Sequence, residues 1–255
     1  MSSFRRLIAQ ATALIGQARY VVALTGAGVS TPSGIPDFRS THSGLWTEHD
    51  PFEVASIFAF RTRPEAFYSW LHPLARLTIQ AIPNAAHQAL ATLETWGPLR
   101  ALITQNIDML HHKAGSANVV ELHGHMRRMT CLTCYAEVTA EPYLRNFLKT
   151  RAVPHCPCGG VFKPNVILFG EQLPVRALNA AKSHTRKCDL MIVAGSSLQV
   201  APAGDLPALA KSTGSRLLII NQEVTPADVF ADVVIHEDVV RVLPLLAEPF
   251  VREQA

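Results

Sequence analysis

Residues 20–30 read Tyr-Val-Val-Ala-Leu-Thr-Gly-Ala-Gly-Val-Ser. A short β-prone run, Tyr20 to Thr25, passes directly into the glycine-rich turn Gly26-Ala27-Gly28-Val29-Ser30. Glycines at such a place let the main chain approach a pyrophosphate, and the N-terminus of a following helix offers unpaired N–H groups to it. The third glycine of the usual dinucleotide fingerprint is missing, and a plain tight turn accounts for two glycines equally well.

Similar runs recur at Leu99 to Thr104, Asp189 to Ala194, Arg216 to Ile220 and Asp232 to Ile235, with helical stretches between them. This alternation predicts an α/β fold, a Rossmann-like parallel sheet covered by helices on both faces. Ligands of such folds bind at the carboxyl ends of the strands. Phe4, Leu7, Ile8, Ala11, Leu14, Ile15 and Ala18 follow helical spacing, which predicts an amphipathic first helix and not a signal peptide. The rhythm breaks between Cys131 and Cys158. The expected organisation is therefore a sheet domain over 1–125 and 164–255, including a flexible cofactor loop near 38–64, with a small zinc-ribbon module inserted over 126–163.

With 48% hydrophobic and 17% charged residues in 255, the chain has the apolar content for a full core and lacks the polar bias of disorder. The net charge of +3 comes from scattered Lys and Arg, with Arg127-Arg128 the one notable pair, so nothing demands a nucleic acid. No apolar run reaches the roughly 18 residues of a membrane span. The expectation is an intracellular, cytoplasmic protein and a monomer.

Beyond the turn, Ser33 to Arg39 places Asp37 and Arg39 within a few residues of the glycines, with Phe38 between them. Arg39 suits a phosphate, and Phe38 suits the shielding of a reacting centre from water; a surface turn with an ion pair is the alternative. Gln105-Asn106-Ile107-Asp108 follows the second strand, with groups suited to ribose hydroxyls and a carboxamide or, equally, to helix capping. Of eleven histidines, His123 stands out. It ends the run Val119 to Leu122 before Gly124, a context that projects a side chain from a strand end, and its ordinary pKa suits a general base. His87, His111 and His112 read as structural.

Four of the five cysteines form two close pairs, Cys131-x-x-Cys134 and Cys156-x-Cys158. Their spacing predicts a closed four-thiolate zinc site that stabilises the insert and performs no chemistry. His155 or His125 in place of one thiolate is the other ligand set. Cys188, beside the apolar run Leu190 to Ala194, reads as a buried thiol.

The segment GAGVSTPSGIPDFR, residues 26–39, resembles the signature loop of sirtuins. Gly44-Leu45-Trp46, Thr104-Gln105-Asn106-Ile107-Asp108 and Leu122-His123-Gly124 match further family motifs in the family's order, and the likeness to sirtuins of the bacterial or archaeal type spans about Tyr20 to Val239. It implies an NAD-dependent protein lysine deacetylase that consumes NAD and forms nicotinamide and O-acyl-ADP-ribose, with acyl-lysine proteins or peptides as partners and a structural zinc. By the same resemblance His123 and Asn106 are catalytic. NAD is held by Gly26, Ala27, Gly28, Ser30, Thr31, Asp37, Phe38, Arg39, Gln105, Asn106, Ile107, Asp108 and His123, and on its adenosine half by Gly195, Ser196, Ser197, Asn221, Gln222 and Val239.

The stretch Ile167, Phe169 and Gly170 would then line the acyl-lysine tunnel and pair with the peptide as an added strand. Desuccinylating relatives carry a Tyr and an Arg three apart in the helix after the flexible loop. Leu71 and Leu74 stand there in this chain, an apolar wall that favours acetyl or longer neutral chains. The sequence departs from the commoner pattern in its second cysteine pair, separated by one residue, and in lacking the glycine usual before Asp238. Rival readings are protein mono-ADP-ribosyl transfer, a zinc-ribbon module that binds nucleic acid or protein, and an NAD-linked dehydrogenase.

Overall fold

The computed structural model describes residues 3–37 and 50–252. Phe38, Arg39 and Gly44-Leu45-Trp46 lie outside the described residues. The strands are β1 (Val21–Thr25), β2 (Leu99–Thr104), β3 (Val119–Glu121), β4 (Gly124–Cys131), β5 (Glu137–Thr139), β6 (Phe162–Val166), β7 (Leu190–Ala194), β8 (Arg216–Ile220) and β9 (Val233–Ile235). The α-helices are α1 (Ser3–Gln17), α2 (Pro51–Val54), α3 (Ile57–Thr62), α4 (Pro64–Gln80), α5 (Ala85–Trp96), α6 (Leu110–Lys113), α7 (Glu141–Thr150), α8 (Val175–Lys187), α9 (Leu206–Ser212) and α10 (Val239–Arg252).

Six strands form one sheet in the order β3-β2-β1-β7-β8-β9, and every neighbouring pair is parallel. All five residues of β1 and of β7 are buried. Side chains of a strand alternate between faces, so Val21 and Ala23 join Leu90, Leu93 and Leu243 on one side, while Val22 and Leu24 join Ala181, Leu206 and Ala210 on the other. Each fully buried aliphatic side chain contributes roughly 1.5–3 kcal/mol, more than the ~1 kcal/mol net of a ladder hydrogen bond, so apolar burial decides where these strands sit. The amphipathic first helix is α1, and its apolar stripe packs on the same cluster as Val21 and Ala23. No described helix is long and apolar enough to cross a membrane.

A second sheet of three antiparallel strands, β5-β4-β6, lies between β3 and β7 in the chain. Its pairing extends from Gly124 to Val166, so Phe162 to Val166 belong to this sheet and not to the large one. The aromatic groups Phe60, Phe67, Tyr68, Phe147 and Phe162 form its core together with α3, α4 and α7. Residues 50–63, within the flexible loop expected near 38–64, contain the two short helices α2 and α3, capped by Asp50 and Ser56.

Candidate active site

The carboxyl ends of β1, β2, β7 and β8 open onto a cavity of about 750 Å³. Every cofactor residue expected from the sequence that falls within the described residues lines it, as do Ile167, Phe169 and Gly170. The glycine turn differs from the expectation in one respect. Among the described residues 26–37 no α-helix follows it, and the chain instead makes two single 3₁₀ turns, Ala27–Val29 and Thr31–Ser33. The glycines also serve the neighbouring loop. A Cβ on Gly28 would lie 2.9 Å from Gly195 Cα, and one on Gly195 only 2.5 Å from Val29 N. Gly28 N donates to Gly195 O at 2.9 Å, so two strand-end turns interlock before any ligand is considered.

The polar segment after β2 is tied to this turn. Asn106 Nδ2 donates to Gly26 O (2.9 Å) and to Ser30 Oγ (3.1 Å), and Ser30 Oγ donates to Asp108 Oδ2 (2.6 Å). Asp108 is 6% exposed, and its Oδ1 accepts from Leu110 N at 2.8 Å, so its carboxylate both caps the chain and faces the cavity. A carboxylate has lone pairs left after two such bonds. Gln105 Nε2 donates to Ser196 Oγ at 2.9 Å, joining the β2 end to the β7 end.

His87 and His111 lie beneath these residues, buried, with ring centroids 4.8 Å apart, and Thr25 Oγ1 meets His111 Nε2 at 2.9 Å. Burial pushes His87 down to about 4 and holds His111 well below the usual histidine range, so both are neutral supports, as the sequence reading held.

His123 stands in the turn between β3 and β4, with its ring Nδ1 2.9 Å from Gln105 O. A carbonyl oxygen accepts, so Nδ1 carries the proton and the neutral ring has its lone pair on Nε2. The main chain of the same residue accepts from Ile167 N at 2.9 Å. His123 thus joins the polar segment at the end of β2 to the stretch expected to meet an acyl-lysine.

One wall is wider than the sequence reading, which named Leu71 and Leu74 alone. Beside Leu71 and Leu74, α4 turns Phe67, Trp70, Ala75 and Thr78 to the cavity, and Met126 and Leu144 close it from the small sheet's side. Spacings of three and four along α4 carried that signal; which neighbour the stripe would face did not show. Tyr68 points elsewhere, its hydroxyl donating to Phe162 O at 2.6 Å inside the core.

At the tip of the small sheet the sulfurs of Cys131, Cys134, Cys156 and Cys158 lie within 4.8 Å of one another. Cys131 and Cys158 are 3.5 Å apart, and Cys134 and Cys156 3.7 Å. Sulfurs about 2.3 Å from a tetrahedral zinc stand roughly 3.8 Å from each other, so the four thiols fit that ion. The loops close tightly here, since a Cβ on Gly160 would meet Cys131 Sγ at 2.6 Å. Amides of Cys134 and Thr133 lower the Cys131 thiol to about 6, while neighbouring sulfurs raise Cys134, and burial with those sulfurs pushes Cys156 up to about 12; four thiols this close do not all ionise without a cation between them. His155 Nδ1 instead meets Val153 O at 2.8 Å, and neither it nor His125 joins the group. Cys188 is buried at the end of α8, with its thiol directed to Thr185 O.

The model of the Sir2 family matches residues 26–202. An NAD-dependent protein deacetylase of Sulfurisphaera tokodaii is 45% identical over 229 residues, 90% of each chain. NAD-dependent protein deacylase 2 of Archaeoglobus fulgidus is 44% identical over 94% of this chain and 95% of its own. Among solved structures, a Sir2 enzyme superimposes with a TM-score of 0.92 at 43% identity, covering 98% of this chain and 99% of its own. Another, Sir2 with deacetylated p53 peptide and 3'-O-acetyl ADP ribose, gives a TM-score of 0.89 at 40% identity over 95% and 98% of the two chains. With a cleft lined by the expected residues, a four-thiol centre and this breadth of likeness, the chain belongs to the Sir2 family.

Proposed function

We propose that this protein is an NAD-dependent protein lysine deacetylase with His123 as its general base and Asn106 as the second catalytic group, acting on acetyl and longer neutral acyl chains. The observation that carries the reading is the double attachment of His123, by its ring to Gln105 O and by its main chain to Ile167 N. It sets the base between the polar strand-end groups and the substrate-side stretch. The Asn106–Ser30–Asp108 network suits a ribose and a carboxamide, while Gly195, Ser196, Ser197, Asn221, Gln222 and Val239 suit the adenosine half.

When bound, NAD supplies the anomeric carbon that the acyl oxygen of the lysine attacks as nicotinamide leaves. Nε2 of His123 takes a proton from a ribose hydroxyl, and the Gln105 carbonyl holds the opposite ring nitrogen protonated while it does so. Ile107 and Phe169, with the apolar face of α4, exclude water from the acyl group. Phe38 and Arg39 complete the cofactor loop in this reading. Zinc on the four cysteines fills its coordination with protein ligands and holds the small sheet.

The reading extends to a large sheet domain interrupted by a small module, expected over 126–163, whose three-stranded sheet runs from Gly124 to Val166. It also covers a cytoplasmic monomer without nucleic-acid or membrane partners: free thiols suit a reducing compartment, and the modest net charge of +3 fits a protein substrate. The test is mass spectrometry of an acetyl-lysine peptide with the pure protein, with and without NAD. Loss of acetyl only with NAD supports it. Intact acetyl-lysine with ADP-ribose added to protein moves the assignment to mono-ADP-ribosyl transfer.

A further inference from the structure

The cavity's substrate side is made by a turn that leaves the small sheet at Val166 and runs through Ile167, Leu168, Phe169 and Gly170. Backbone bonds hold its flanks, with Ile167 N donating to His123 O and Phe169 N to Ala55 O. Between these flanks lies a group the mechanism does not use. Lys163, in β6, has a side chain only 8% exposed, a costly place for an ammonium. Its Nζ meets Glu171 Oε2 at 2.8 Å, Val166 O at 2.7 Å and Pro164 O at 3.3 Å, which accounts for all three of its N–H donors. Glu171 Oε2 also accepts from Leu168 N at 2.8 Å. One ammonium therefore grips the residue before the turn and the residue after it, and the carboxylate reaches back to the middle.

A buried ion pair is weak evidence for stability, because a hydrophobic pair of similar volume often does as well; fixing one conformation is the better-attested use. Here the conformation it fixes is that of the turn facing the ligand. We infer that Lys163 and Glu171 are positioning residues that hold the Ile167–Gly170 turn in the form that receives the acyl-lysine peptide, leaving the NAD side untouched. The inference rests on the deacetylase reading. Burial lowers Lys163 from the ordinary lysine range and Glu171 pushes it back, consistent with a charge retained for its partners.

The experiment is steady-state kinetics on wild type, Lys163→Met, Glu171→Gln and the double variant, varying acetyl-lysine peptide at saturating NAD and then NAD at saturating peptide. Displacements of an ångström at a site cost up to ~100-fold, so Lys163→Met should raise the peptide KM roughly tenfold while the NAD KM stays within about twofold. Glu171→Gln keeps the shape and an acceptor, so it should shift the peptide KM in the same direction by about threefold and carries the test should Lys163→Met not fold. The double variant should be no worse than Lys163→Met alone, since the two act as one unit. An unchanged peptide KM in folded variants, or KM values for peptide and NAD that rise together, overturns the inference. A wild type that never deacetylates the peptide refutes the deacetylase reading instead.

Discussion

The strand-end cleft and the cysteine centre are two ways of holding polar groups in place. In the cleft, position comes from apolar packing: β1 and β7 are wholly buried, and the turns that follow them interlock through Gly28 and Gly195. The small sheet has strands of eight, three and five residues; the aromatic cluster with α3, α4 and α7 covers it, and its tip holds four thiols. Sheets of that size are marginal alone. One region is preorganised by apolar packing alone, the other by apolar packing together with the metal its four thiols fit, and the two meet where Met126, Leu144 and the Ile167–Gly170 turn wall the same cavity.

Zinc removal should separate the two regions most sharply. Structural zinc contributes on the order of 10 kcal/mol, so a chelator or Cys156→Ala should melt the small sheet and abolish deacetylation. Hydrogen exchange should show β4 and β6 amides losing protection while β1, β7 and β8 keep theirs; uniform loss across both sheets breaks the distinction. Next in size, Gly195→Ala forces a side chain into a backbone at φ +59 with a Cβ 2.5 Å from Val29 N. It should cost about 3 kcal/mol or more in denaturant unfolding and weaken NAD before peptide.

A comparable effect follows from acid. His87 is lowered from 6.5 to about 4 by burial, so between those values the unfolded chain takes up a proton that the folded chain refuses. Stability should be unaffected by this group above pH 6.5 and fall as pH drops towards 4, by ~3 kcal/mol in all. Unfolding curves of His87→Gln should show a flatter slope in that window; an unchanged slope would place the acid sensitivity elsewhere. The smallest effect concerns the apolar wall. Leu71→Tyr with Leu74→Arg should move the acetyl-to-succinyl rate ratio by roughly tenfold towards succinyl, about 1.4 kcal/mol, in a side-by-side peptide assay.

The strands expected from Tyr20, Leu99, Asp189, Arg216 and Asp232 were legible because two-faced burial writes itself as nearly continuous apolar runs. The cysteine pairs were legible because metal chemistry dictates residue type and spacing. Three features were not. The paired 3₁₀ turns after Gly26 depend on contact with Gly195, remote in sequence. Leu71 and Leu74 were expected at the acyl wall by resemblance, but the rest of the cavity face of α4, Phe67, Trp70, Ala75 and Thr78, is set by tertiary packing. The Lys163–Glu171 pair joins a buried lysine to a half-buried glutamate, and nothing in the sequence context marks Lys163 as a buried charge.

The central claim is that His123, its ring oriented by Gln105 O, is the base of an NAD-dependent deacetylation. It is tested most directly by the rate of acetyl loss from a lysine peptide in His123→Ala against wild type, with NAD saturating and folding checked by thermal melting. General-base catalysis is worth 10²–10⁴-fold, so the variant should fold normally and lose activity by about that factor. A folded His123→Ala protein that deacetylates within about tenfold of wild type would contradict the assignment.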